Sequence, residues 1–391
     1  MKIDVGHATR LNARNHLRKD QLQRNVGDMT TQFDIIVIGA GIAGASVAAH
    51  LAADLKVLIL EMEDRPGYHT TGRSAATYEP NYGPAPMKAL TRASRREFDA
   101  GGYLTPRETI FVMPEGQEAD FDHLVAGQKG MREITVHEAR QKHPLLRQSY
   151  VKRAILDPGT ADIDVDLLHQ NYLKAFKARG GMLKCGAPVT GLNGDSGWRV
   201  TAGGINFTAQ IIVNAAGAWG DHIAELAGVK TIGLQPKRRS IAVVPPADGI
   251  DVMSWPLVGD VGETWYAKPQ SGKLLVSPAD ATPVDPHDAY ADDMTLAEGI
   301  DRFQQAVDME VTRVDHTWGG LRSFAPDGCP VIGFDTQATG FFWLIGQGGY
   351  GIQTSPALSR LAAAMAQGKA VPDDIVAEGL NLVHIAPNRF D

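Results

Sequence analysis

Between residues 34 and 61 the chain switches twice between two hydrophobic rhythms. Asp34-Ile35-Ile36-Val37-Ile38 is a continuous apolar run rich in β-branched residues and predicts a buried strand. The small, alanine-rich stretch Ala45 to Ala53 predicts a helix, and Lys56-Val57-Leu58-Ile59-Leu60 predicts a second buried strand. Further along, helical spacing predicts helices over Met87 to Phe98, Val165 to Ala178 and Thr295 to Val307. Short apolar runs predict strands at Thr109–Val112, Val189–Leu192, Trp198–Thr201, Ile211–Val213, Leu234–Val244, Lys273–Ser277 and Phe341–Ile345. A last helix carries the stripe Leu358, Leu361, Ala362 and Met365; Ser355 suits its N-cap and Pro356 its first position. Strand and helix alternate early, which predicts an α/β domain. The strands between 234 and 277 follow one another without helices, which predicts an antiparallel sheet and a second domain.

The turn between the first strand and the first helix is Gly39-Ala40-Gly41-Ile42-Ala43-Gly44, a G-x-G-x-x-G inside a complete βαβ unit. Gly39 permits the tight turn, Gly41 lets the backbone approach a pyrophosphate, and Gly44 lets helix and strand pack closely. The helix N-terminus offers free N–H groups and partial positive charge to phosphates. Glu61 closes the second strand 22 residues after Gly39, where an acid accepting from a ribose hydroxyl is expected. This unit alone leaves NAD and FAD both open. A second glycine-rich junction, Gly346-Gln347-Gly348-Gly349-Tyr350-Gly351, follows the Phe341–Ile345 strand and precedes the last helix. Two helix N-termini on one dinucleotide favour a flavin, which gains negative charge on reduction, over a nicotinamide, which becomes neutral.

Composition narrows the classes. The 391 residues carry a net charge of −7 and 43% hydrophobic residues, so nothing favours nucleic acid or an anionic membrane, and no apolar run is long enough for a membrane span. Two cysteines, Cys185 and Cys329, lack metal-site spacing and suggest a reducing, cytoplasmic compartment. Residues 1 to 28 hold six Lys/Arg against three Asp with scattered apolar positions, and are expected to form a disordered extension before Met29. His169, alone in its helix, reads as a surface or packing residue.

Six blocks together resemble the D-amino acid oxidase-like superfamily of FAD oxidoreductases, and within it the bacterial FAD-dependent D-arginine dehydrogenases. They are Gly67–Ala76, Asp157–Asp164, Asn214–Trp219, Leu234–Ser240, His316–Phe324 and Gly348–Thr354. The resemblance implies a Rossmann-like FAD-binding domain interleaved with an antiparallel-sheet substrate domain. The FAD domain is expected over 29–82, 152–233 and 317–375, and the substrate domain over 83–151 and 234–316. It further implies that FAD is held noncovalently by Gly39, Gly41, Ile42, Ala43, Gly44, Glu61, Arg73, Ser74, Ala75, Ala76, Val189, Ala216, Gly217, Trp219, Arg322, Gly348, Gly349, Tyr350, Gly351 and Ile352. Cys329 does not fall on the flavin-linking position of covalent relatives.

Arg239 and Arg322 fall on the family's substrate-carboxylate arginines, a role that suits a planar guanidinium fork. Arg238 and Arg239 face opposite sides of a strand, and the match selects Arg239. Tyr82, Tyr266, Gly349 and Gln353 fall on positions near substrate and flavin. Thr77 stands where the arginine dehydrogenases have a histidine. Thr109, with Glu108 beside it, stands where they have a glutamate for the substrate guanidinium. Leu257 and Gly259 fall on the side-chain pocket. Neutral D-amino acids are therefore the expected substrates, oxidised to 2-oxo acid and ammonia by a monomer or homodimer with an unassigned electron acceptor. Two alternatives stay open: a sarcosine- or glycine-type amine oxidase, and a non-catalytic FAD-binding subunit. Some such oxidases carry a lysine beside the flavin, and Leu274-Leu275-Val276 carries none.

Overall fold

The computed structural model describes residues 31–391 except Gly127. Its centre is a six-stranded sheet ordered Met182–Lys184, Val57–Leu60, Ile35–Ile38, Ile211–Asn214, Phe341–Ile345, Val331–Phe334, parallel except for the last edge pair. Side chains on a strand alternate between faces, and Ile35–Ile38 shows both destinations. Ile35 and Val37 enter a core built with the helices Ile42–Leu51, Ala85–Gly101, Val165–Ala178 and Gly351–Ala366. Ile36 and Ile38 enter a second core beneath the meander of Val189–Gly194, Trp198–Ala202 and Ile205–Ala209. Burial on both faces explains the unbroken apolar run.

The second large sheet has nine strands. In order they are Thr282–Pro283, Gln235–Val244, Lys273–Ser277, Tyr266–Gln270, Leu257–Asp260, Thr109–Met113, Arg153–Asp157 and Arg132–Ile134, with His316–Phe324 paired to Gln235–Val244. It is not wholly antiparallel as expected: Leu257–Asp260 runs parallel to Thr109–Met113. Helix Asp293–Ala306 packs Leu296, Phe303 and Ala306 against one face with Trp255 and Trp265.

The expected domain limits cut across these layers. Helix Ala85–Gly101 packs in the dinucleotide-type core through Met87, Leu90 and Phe98, because its apolar face matches that of Gly351–Ala366. Strands Arg153–Asp157 and His316–Phe324 belong to the large sheet, where their backbone groups find partners. The expected extension, residues 1–28, lies outside the described residues.

Two helix starts also differ from expectation. The first helix begins at Ile42 with Gly41 as N-cap, inside the glycine fingerprint. The last begins at Gly351, so Ser355 and Pro356 lie within it. Pro356 has no N–H for the Ile352 carbonyl, and the Ser355 hydroxyl donates to that oxygen instead at 2.9 Å. One residue on, the Ala357 N–H donates to Ser94 Oγ of the neighbouring helix at 3.0 Å. The proline is tolerated because both vacated positions of the ladder are served.

Candidate active site

One long cavity runs from the glycine fingerprint to the underside of the large sheet. At its first end Gly39 has φ +103°, and a Cβ on Gly44 would strike the Gly39 carbonyl. The Ala40 N–H donates to Glu61 Oε2 at 2.7 Å and the Ile42 N–H to Thr71 Oγ1 at 2.9 Å. His169 is a packing residue: its Nε2 bonds the Ala40 carbonyl at 2.9 Å, and burial holds its pKa below the ordinary value. The segment Gly67–Thr77 lines the middle of the cavity, anchored by Arg73, which donates to the Ala289 carbonyl at 2.7 Å and pairs with Asp288.

At the far end stand Arg239 and Arg322. Strand pairing sets Arg239 opposite Gly320 and Lys237 opposite Arg322, so the two arginines share a face on a diagonal. Arg239 Nε donates to the Asp280 carbonyl at 2.7 Å, and Arg322 Nη2 donates to Tyr82 Oη at 2.9 Å. Neither arginine has a carboxylate partner among the described residues. Arg238, facing away, is paired with Asp280 at 3.4 Å and Asp292 at 3.8 Å. Burial, and then the neighbouring Arg322, lowers the pKa of Arg239. Burial also opposes the Arg322 charge, but Tyr82, Tyr350 and Tyr266 together carry its pKa above the ordinary value. Two unpaired guanidiniums in one cavity call for an anion.

The family model described as FAD dependent oxidoreductase (DAO) matches residues 34–365. The chain belongs to this family. It is 25% identical to glycine oxidase of Geobacillus kaustophilus over 89% of this chain and 96% of that protein. It is 22% identical to a hydrogen cyanide synthase subunit of Pseudomonas aeruginosa over 89% and 95%. Among solved structures, L-proline dehydrogenase from P. horikoshii superposes with a TM-score of 0.75 at 20% identity, covering 88% of this chain and 96% of that one.

The residues present fit FAD. The cradle of Gly39, Gly41 and Ala43 opens at a helix N-terminus, the second helix start at Gly351 opens on the same cavity, and the buried Gln353 Nε2 has no partner. Most of the expected cofactor residues line the cavity: Gly39, Gly41, Ile42, Ala43, Glu61, Arg73, Ser74, Ala75, Ala76, Val189, Ala216, Gly217, Trp219, Arg322, Gly348, Gly349, Gly351 and Ile352. Gly44 and Tyr350 do not. Gly44 serves the packing of the turn, and Tyr350 packs on Tyr82 with ring centroids 5.0 Å apart. Arg239, Tyr82, Tyr266, Thr77, Gln353, Leu257 and Gly259 also line it. Cys185 and Cys329 do not, so neither offers a covalent link.

The expected side-chain position at Thr109 is overturned. Thr109 is buried against Thr160 Oγ1 at 3.0 Å, and Glu108 pairs with Lys142 at 2.6 Å on the far side. Neither lines the cavity. Beyond Glu61 at the fingerprint end, the acidic residues that do are Glu79, Asp260 and Glu263. Asp260 accepts from Gln117, Thr264 and Trp265 and is fully occupied. Glu79, one residue past the two-residue strand Thr77–Tyr78, was missed, because no local pattern marks it. Lys268, opposite Leu275, was also missed; its Nζ is buried against the Ala75 carbonyl and Asp162 Oδ1, each at 2.7 Å, and does not line the cavity.

Proposed function

We propose that this protein is an FAD-dependent D-amino acid dehydrogenase acting on neutral substrates. The unpaired pair Arg239 and Arg322 carries the reading. In an interior site an amino acid carboxylate is the small anion that two planar forks bind bidentately. The clamp fixes the orientation of the α-carbon, the main catalytic device of a reaction that needs no protein nucleophile. FAD, when bound, supplies the acceptor for the hydride lost from the carbon bearing nitrogen. The imino acid product hydrolyses in water to a 2-oxo acid and ammonia. Tyr82 donates or accepts beside the clamp and is kept a neutral phenol by burial. Leu257, Phe111 and Ile241 supply an apolar wall for the substrate side chain. The D configuration and the likeness to the arginine dehydrogenases rest on the matching blocks in the sequence.

An anaerobic screen of flavin bleaching with D-, L- and N-methyl amino acids tests this. Reduction by D-leucine or D-methionine is the expected result, and no bleaching by any D-amino acid overturns the reading. A second reading, oxidation of glycine or a secondary amine, draws on the likeness to glycine oxidase. Bleaching by sarcosine or glycine in preference to D-amino acids, with peroxide released in air, would establish it instead.

A further inference from the structure

We propose that Glu79 takes the proton from the substrate's α-ammonium group. This rests on the amino acid reading above. Hydride leaves a carbon beside nitrogen only when the nitrogen lone pair is free, whereas an amino acid arrives as its ammonium form. A proton acceptor beside the clamp meets that need.

The placement of Glu79 follows from two hydrogen bonds of its backbone. The Glu79 carbonyl accepts from the Tyr82 N–H at 3.1 Å, in the turn that sets Tyr82 Oη on Arg322 Nη2. The Glu79 N–H donates to Gln353 Oε1 at 2.8 Å. Gln353 lies in the first turn of the helix that follows Gly349, where a Cβ would collide with the Arg322 guanidinium. Both segments that hold Glu79 thus also touch the Arg322 clamp. Glu79 lines the cavity, and its carboxylate has no hydrogen bond or ion pair among the described residues. Beside it Gln353 is 3% exposed, and its Nε2 is an unpartnered donor on the same cavity wall.

The groups around Glu79 set its proton affinity. Burial, then Asp157 and Glu263, push its carboxyl up, while Lys268 and Arg322 pull it down, leaving it at about 7. Asp157 comes from the Arg153–Asp157 strand, Glu263 from the turn before Tyr266, Lys268 from the Tyr266–Gln270 strand and Arg322 from the His316–Phe324 strand. A base of that strength is well matched to work near neutral pH. In the step itself the ammonium N–H bond breaks and a Glu79 oxygen gains the proton. The electron pair stays on nitrogen, and the total charge is unchanged.

The test uses the holoenzyme, wild type and Glu79→Gln, with D-leucine and with 4-methylpentanoate, which keeps the carboxylate and side chain but lacks the amine. For D-leucine, anaerobic flavin reduction by wild type should rise with pH through about 7. Glu79→Gln should lose that limb, fall about 10²- to 10⁴-fold at pH 7, and recover at alkaline pH where free amine is present. The amine-free acid, followed by flavin absorbance, should bind wild type more weakly above pH 7, and should bind Glu79→Gln with no such dependence. The proposal is overturned if Glu79→Gln keeps the wild-type pH profile. It is overturned equally if the variant loses only substrates with a distal cation, which would make Glu79 a side-chain partner. If Glu79→Gln fails to hold FAD, wild type alone decides: pH-independent binding of the amine-free acid refutes the proposal. Absence of flavin reduction by every amino acid would sink the proposed function, while the acid-binding arm would still report on Glu79.

Discussion

Arg238 and Arg239 are chemically identical neighbours with opposite surroundings. Arg238 is neutralised by Asp280 and Asp292, and Arg239 faces the cavity without a counter-ion. Arg239→Ala or Arg322→Ala should therefore lower kcat/KM by an amount equivalent to about 3–5 kcal/mol, with little change in melting temperature. Arg238→Ala should do the reverse, because it strands the buried Asp280. Steady-state kinetics and calorimetry on the three variants check this; equal kinetic losses at 238 and 239 would refute the facing assignment. His143 gives a residue-scale prediction about pH. It is 2% exposed, packs tilted against Trp255 with centroids 4.1 Å apart, and burial depresses its pKa from 6.5 to about 4. The unfolded chain takes up a proton near pH 6.5 and the folded one only near 4. Its contribution is thus complete above pH 6.5 and is lost as pH falls, by up to about 3 kcal/mol at pH 4. His143→Leu should flatten that part of the acid limb in urea titrations across pH 4–7.

At the scale of elements, the two glycine-rich turns do different work. Gly44 has no room for a Cβ because the Gly39 carbonyl occupies that space, so Gly44→Ala must break the turn that receives the cofactor. Gly349 has no room because the Arg322 side chain lies against it. Gly349→Ala should keep FAD and push Arg322 out of place, raising KM about 10-fold or more. Gly44→Ala should purify as colourless apoprotein. Flavin content and KM measured on the pair separate the roles, and a Gly349→Ala enzyme with wild-type KM would show that Arg322 has another place to go.

At the scale of the whole molecule, a buried lysine ties the large sheet to the cofactor layer. Lys268 Nζ reaches from the Tyr266–Gln270 strand to the Ala75 carbonyl and to Asp162, and Asp162 Oδ2 also accepts from Arg107 Nε at 2.5 Å. Burial lowers the pKa of Lys268, and the Asp162 carboxylate opposes that loss. Breaking such a pair leaves an uncompensated charge in the interior. Lys268→Met should cost about 3–5 kcal/mol of stability in denaturant unfolding, with the loop Ser74–Thr77 the first to lose protection in hydrogen exchange. A cost below about 1 kcal/mol would mean that Arg107 alone satisfies Asp162.

The dinucleotide half was legible because its signals are local. An apolar run buried on both faces, glycines at fixed spacing and an acid at the strand end each act within one βαβ unit, and the structure keeps them there. Strand alternation likewise separated Arg239 from Arg238. The register of Gln235–Val244 against His316–Phe324 was not local, and it alone sets Arg322 beside Arg239. The side-chain end of the cavity also depended on tertiary placement. The resemblance placed Thr109 there, with Glu108 beside it, but Thr109 turns into a buried contact with Thr160 and Glu108 outward to Lys142. Glu79 came to the wall instead because its turn is held between Tyr82 and Gln353, residues 274 positions apart in the second case. Short-range patterning decided which elements form, whereas the direction of each charged side chain was decided by partners that only the assembled sheets bring within reach.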